Sequence, residues 1–391
     1  SLRRAVTARL FLIPPLASRR CTTILNGDAK NAAHPPDMNE ANERSETMAV
    51  RAAHRMDADR LGLYLAAHIK GFAAPVEIEE FRGGQSNPTY RLTDANGRQF
   101  VLRRKPPGKL LPSAHAVDRE YRVTTALGQT DVPVPKTYLL CEDASVAGTP
   151  FYVMDYVQGR IFWDVTLPGI APAERARIYD AMNDVIARLH RVDTRAVGLS
   201  DFGREGGYVG RQIKRWSAQY RASETETIES MERLIDYLPA NLPEDDETCL
   251  VHGDYRLDNM IFHASEPRVL AVIDWEISTL GHGIADFSYH CMLWRMPKGG
   301  YKGLLGHDLA ALGLPTEDEY VARYCERTGR AQIAHWDYYM AYNMFRMAAI
   351  LQGIMGRVRD GTAASAEAKQ TGAMARTVAD TGWAQVEKVG G

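Results

Sequence analysis

The hydrophobic rhythm of the chain changes character part-way along. Leu61, Leu65 and Ile69 recur every four positions, with Asp57 placed to cap the segment and Gly71 to end it, which predicts a helix over 56–70. Beyond it the period shortens. Residues 76–81, 89–92, 99–103, 137–140 and 151–154 alternate or run apolar as strands do, and 94–97 (AspAlaAsnGly) reads as a hairpin turn between the second and third. A second helix is predicted over 113–127, capped by Ser113, with Val117, Tyr121 and Thr124 on one face. These elements make a small lobe built on a five-stranded antiparallel sheet. From Ala171 the rhythm is helical. Ile178, Met182, Val185, Ile186 and Leu189 share a face of a helix over 174–191. Trp336, Met340, Met344, Met347, Leu351 and Ile354 mark the core face of a long helix over 333–357, and the Ala-rich 361–388 predicts a final helix or two. The fold class is therefore α+β, strand-rich over 51–154 and mainly helical over 155–391.

Residues 1–50 lack this periodicity. They carry Arg3, Arg4, Arg9, Arg19 and Arg20 with no acid before Asp28, the composition of an organelle transit peptide or of an upstream leader ahead of Met48. This segment is expected to lie outside the fold. If it is a leader the protein is cytoplasmic, and if it is a transit peptide the destination is an organelle matrix.

The chain is 45% hydrophobic and 25% charged with a formal net charge of −2, which calls for neither nucleic acid nor an anionic membrane as partner. Its five cysteines (Cys21, Cys141, Cys249, Cys291, Cys325) are scattered without a CysXaaXaaCys pair, as expected of reduced thiols.

Candidate chemistry concentrates in one stretch, 249–275. Asp254 and Asn259 lie five positions apart in a loop. A strand, a turn at 264–267 and a return strand then bring Asp274 back beside them. Three oxygen-bearing side chains delivered by a hairpin suit a hard divalent cation such as Mg²⁺, with one acid left over as a base. A second loop, 82–88, offers Gly83 and Gly84, whose backbone can approach a phosphate, and Ser86 and Asn87 as further donors; a plain hairpin turn would also account for the two glycines.

HisGlyAsp at 252–254, Asn259 and Asp274 together resemble the catalytic and metal-binding segments of the protein-kinase-like phosphotransferases. The resemblance implies a two-lobed protein-kinase-like fold that uses ATP and Mg²⁺, with Asp254 as catalytic base and Asn259 and Asp274 as metal ligands. It further implies that Arg103 holds the phosphates (Lys105 being the substitute), that Glu120 pairs with Arg103, and that the 82–88 loop covers ATP. The backbone of Asp155, Tyr156 and Val157 would read the adenine edge, and Asp286 would brace the catalytic loop. Gly253 stands where protein kinases carry Arg, and IleAspTrpGlu at 273–276 where they carry AspPheGly. Both departures point to the aminoglycoside phosphotransferase and choline kinase branch, which phosphorylates small alcohols.

Within that branch, residues 83–90, 101–115 and 346–354 resemble the phosphotransferase domain found alone in many bacteria and fused to some acyl-CoA dehydrogenases. This implies a small-molecule acceptor, a hydroxyacyl-CoA, and work alongside an acyl-CoA dehydrogenase. The alternatives are an aminoglycoside or amino-alcohol kinase and a nucleotide-binding module without transfer. Arg211, Lys214, Arg215 and Trp216, with Arg346 and Arg357, suit an anionic acceptor, unless they simply pair with acids or face solvent.

Overall fold

The computed structural model describes residues 47–82, 87–107, 116–299, 302–362 and 367–389. They divide into two compact units: one of residues 47–117 and 138–156, the other of 118–137 and 157–389.

The smaller unit contains β1 (Thr47–Met48), helix α1 (Ala58–His68), β2 (Val76–Phe81), β3 (Thr89–Asp94), β4 (Gln99–Arg104), β5 (Thr137–Cys141) and β6 (Phe151–Asp155). The sheet has six strands in the order β1-β2-β3-β4-β6-β5. Leu92 lies opposite Phe100, and Leu102 opposite Tyr90 and Val153, so alternation gathers these residues on one face. Leu61 and Leu65 of α1 complete that core. The Asp57 side chain accepts from the N–H of Arg60 and caps the helix.

The sixth strand comes from residues expected to lie outside the fold. Thr47 pairs with Phe81 and Met48 with Glu80. Glu80 is fully buried, and such a carboxylate needs partners. Arg51 supplies them through its N–H (2.9 Å) and Nε (2.8 Å), and His54 Nδ1 lies 2.7 Å away. Two residues are too few for a strand pattern to register in the sequence.

The larger unit holds α2 (Val117–Leu127, from its second residue), α3 (Pro172–His190), α4 (Tyr208–Ser223), α5 (Glu229–Ala240) and β7 (Cys249–Val251). After these come β8 (Met260–Phe262), β9 (Val269–Val272), β10 (Thr279–Gly281), α6 (Gly283–Cys291), α7 (Glu317–Thr328), α8 (Trp336–Arg359) and α9 (Ala375–Val389). Helix α8 is buried along nearly its whole length, from Tyr338 to Gly356, so it forms the axis of this unit rather than presenting a single apolar face. Ser113, expected to cap α2, lies outside the described residues. No helix among the described residues is long and apolar enough to cross a membrane.

His290 of α6 is buried, with Nε2 2.8 Å from the Tyr320 hydroxyl, and burial pushes its pKa down to about 4. An unfolded histidine titrates near 6.5. Between these values the unfolded chain binds the extra proton, so stability is lost as pH falls from about 6.5 towards about 4, by roughly 3 kcal/mol at most. Thermal melts across this range should show that decline in the wild type and a shallower one in His290→Asn. Equal slopes would mean that His290 is not the titrating group.

Candidate active site

The catalytic stretch lies within the larger unit. Two short antiparallel pairs frame it: β7 with β10, Val251 opposite Thr279, and β8 with β9, Met260 opposite Val272. Between β7 and β8 the chain makes the loop 252–259.

That loop is held from several sides. Asp286, in the first turn of α6, accepts from the N–H of Gly253 at Oδ1 and from that of His252 at Oδ2, both at 2.8 Å. His190 Nε2 lies 3.2 Å from Oδ2. Burial works to raise the Asp286 pKa, but the His190 and His252 interactions outweigh it and leave the carboxyl below its ordinary value. The N–H of Asp254 donates to His252 Nδ1 (3.2 Å), so Nε2 carries the hydrogen that faces the Ile273 carbonyl at 3.0 Å. Gly253 has φ +83°, and a Cβ there would come within 3.0 Å of Ile277 Cδ1. A glycine, not the arginine of protein kinases, is what this turn accepts.

Around Asp254 the contacts are polar. Tyr289 donates its hydroxyl to Oδ1 at 2.7 Å, and Arg256 Nε approaches the same oxygen at 2.9 Å. The Asn259 side-chain N–H donates to the Asp254 carbonyl (2.9 Å) and to Oδ2 (3.1 Å). With its nitrogen spent there, Asn259 keeps Oδ1 as an acceptor, the atom a cation would use. The Ile273 N–H donates to the Asn259 carbonyl at 2.9 Å, which ties the end of the hairpin to the loop and sets Asp274 next along the chain. Asp274 has φ +68°, a left-handed conformation uncommon outside glycine, Asn and Asp. Such outliers concentrate where a side chain must be aimed. An amide oxygen and a carboxylate are hard donors, which suit Mg²⁺ better than a soft metal. Among the described residues no group of three or more His, Cys, Asp or Glu is arranged to hold a metal.

Tyr289, Arg256 and Arg346 were not picked out of the sequence as catalytic-loop contacts. Asp286 and Tyr289 are three residues apart on α6, the spacing that sets two side chains on one helix face, so Tyr289 was findable. Arg346 is a correction. Expected to meet an anionic acceptor, it is buried instead, donates to the Gly253 carbonyl at 2.6 Å, and lies over the rings of Tyr289 (4.8 Å) and Trp216 (5.7 Å). Trp216 is likewise a core residue, and Arg211 donates to the carbonyls of Arg204 (3.0 Å) and Gly206. This part of the basic cluster is structural.

The remaining candidates belong mostly to the smaller unit. Gly83, Gly84 and Ser86 lie outside the described residues. Asn87 is buried, and its carbonyl accepts from the Thr89 hydroxyl at 3.0 Å. Arg104 shares the core face of β4 with Phe100 and Leu102 and is spent on the Tyr90 hydroxyl (3.0 Å) and the carbonyls of Ala147 and His54 (2.6 Å each). Alternation therefore sets Arg103 and Val101, both buried, on the opposite face of the sheet. Lys105 follows the strand, its N–H bonded to the Pro150 carbonyl. The Tyr138 hydroxyl donates to the Asp155 carboxylate, and Tyr156 stacks on Phe81 at 6.4 Å. In the larger unit, Glu120 is buried on α2 and Val157 is half-buried.

Known proteins share much of this sequence and fold. Residues 77–342 match the family described as "Phosphotransferase enzyme family". The chain is 47% identical over 350 residues to mouse acyl-CoA dehydrogenase family member 10, covering 88% of this chain and 32% of that protein. It is 40% identical over 348 residues to human acyl-CoA dehydrogenase family member 11, covering 88% and 44%. The chain thus spans less than half of the length of these curated relatives. A Ralstonia eutropha crystal structure of the aminoglycoside phosphotransferase type shares 52% identity, with TM-score 0.80, over 85% of this chain and 99% of that one. A ternary complex of aminoglycoside phosphotransferase APH(4)-Ia with AMP-PNP and hygromycin B shares the protein-kinase-like fold at TM-score 0.54 and 14% identity, over 84% and 97%. With the family match spanning most of the chain, this protein belongs to the phosphotransferase enzyme family, the small-molecule kinases of aminoglycoside phosphotransferase type.

Proposed function

We propose that the chain transfers the γ-phosphate of ATP to a hydroxyl of a hydroxyacyl-CoA. The observation that carries the reading is the braced loop in which Asp254, Asn259 and the hairpin leading to Asp274 converge. In the reaction the acceptor oxygen attacks the γ-phosphorus, the bond to the ADP oxygen breaks, and the acceptor proton passes to an Asp254 carboxylate oxygen. Asn259 Oδ1 and the Asp274 carboxylate would hold Mg²⁺, which when bound neutralises phosphate charge. Arg103, supported by Glu120, would hold the phosphates, with Lys105 as the substitute; Gly83, Gly84, Ser86 and Asn87 would cover them. The backbone of Asp155, Tyr156 and Val157 would receive the adenine.

Kinship with two acyl-CoA dehydrogenase family members supports the acyl-CoA acceptor and work alongside a dehydrogenase. A polycationic aminoglycoside would want unspent carboxylates, whereas Asp254 faces Arg256 at 2.9 Å and Asp258 faces Lys302 at 2.8 Å.

The test is ADP release by purified protein with Mg·ATP across 3- and 4-hydroxyacyl-CoAs, aminoglycosides, choline and homoserine. Release with hydroxyacyl-CoAs alone is expected. Release with an aminoglycoside alone would overturn the acceptor assignment, and failure to bind Mg·ATP would overturn the kinase reading. Tyr289→Phe removes one hydrogen bond to the base and should lower kcat roughly tenfold, with KM for ATP little changed. An unchanged kcat would remove Tyr289 from the positioning of Asp254.

A further inference from the structure

Beside the catalytic loop the larger unit contains a cavity of about 40 Å³. Its walls are apolar, among them Val165, Met182, Leu257, Met292, Leu293 and Met296. Two further lining residues, Tyr289 and Arg256, are the ones that hold Asp254 Oδ1, at 2.7 and 2.9 Å. The cavity therefore lies behind two of the side chains that position the Asp254 carboxylate.

Its charged lining groups are already matched in pairs. Arg256 faces Asp254, and Lys302 faces Asp258, which is itself buried. A polar or charged occupant would have to compete with these pairs, whereas an apolar one leaves them in place. Volume sets the length of such an occupant. At 10–15 Å³ for each water-sized group, about three carbons fit.

We propose that this cavity is the subsite for the alkyl tail of the acceptor, taking about three carbons beyond the carbon that bears the reacting hydroxyl. It makes the enzyme selective for secondary alcohols with a short apolar tail. The proposal rests on the kinase reading and adds to it which part of the acceptor is recognised and how long that part is.

The test is kcat/KM for ADP release with hydroxyacyl-CoAs whose tails lengthen one carbon at a time, in the wild type, Leu293→Phe and Met296→Ala. Thermal melts establish that each variant is folded. In the wild type kcat/KM should rise about fourfold per carbon, up to about three carbons, and then level or fall. Leu293→Phe, which fills the cavity, should bring the ratio of three-carbon to tail-less acceptors close to one. Met296→Ala, which enlarges it, should move the optimum to a longer tail. A wild-type rate independent of tail length, or a folded Leu293→Phe with the wild-type dependence, would overturn the subsite while leaving the kinase reading intact. No turnover with any member of the series would overturn both.

Discussion

Asp254→Ala is expected to reduce phosphoryl transfer by about 10²- to 10⁴-fold, the usual contribution of a positioned general base, while leaving the affinity for Mg·ATP within a few-fold of wild type. The separation follows from what Asp254 touches. Its carboxylate is engaged by Tyr289, Arg256 and the side-chain nitrogen of Asn259, and it is not one of the two proposed metal ligands. Asp254→Asn keeps the size and one acceptor oxygen, so it separates loss of the base from collapse of the loop. Single-turnover rates at saturating Mg·ATP, with nucleotide affinity measured by calorimetry, check both halves. A fall in both rate and affinity for Asp254→Asn would mean that the residue supports the nucleotide site instead.

Asp274→Ala is expected to act on the opposite half, weakening Mg·ATP binding at least tenfold, or about 1.4 kcal/mol. Here the backbone matters as well as the carboxylate. At φ +68° Asp is among the few side chains tolerated, and Asn is another. Asp274→Asn should therefore stay as stable as wild type while still losing affinity, because a neutral amide is a poorer ligand for a hard cation. Titrations at fixed ATP with increasing Mg²⁺ measure the effect. Unchanged Mg²⁺ dependence in a folded Asp274→Asn would remove Asp274 from the metal site.

Much of the catalytic loop was legible because its contacts are local. Asn259 reaches Asp254 across five residues, and one short hairpin returns the chain to Asp274, so spacing and turn chemistry suffice to predict the convergence. The brace at Asp286 came from family resemblance, and its two backbone bonds are present. What spacing does not carry is the partner of a lone charge. Arg346 reads as an available cation until its bond to the Gly253 carbonyl, 93 residues away, is visible. Lys302 likewise has no local signal pointing to Asp258. The identity of Gly253 was plain in the sequence, but its reason, a left-handed turn against Ile277, was not. In the smaller unit the strand rhythm located all five expected strands. The sixth depends on Arg51 and His54 meeting a buried Glu80, a long-range contact with no periodicity of its own.

A kinase with Asp254 as its base and a hydroxyacyl-CoA as its acceptor must leave a phosphorylated acyl-CoA as its product. Mass spectrometry of the acceptor after incubation with Mg·ATP tests it most directly. The wild type should form a phosphorylated hydroxyacyl-CoA mole for mole with ADP, and Asp254→Ala should form it about 10²- to 10⁴-fold more slowly. Phosphorylated product from Asp254→Ala at the wild-type rate, or Mg·ATP binding by the wild type with no phosphorylated hydroxyacyl-CoA, would contradict it.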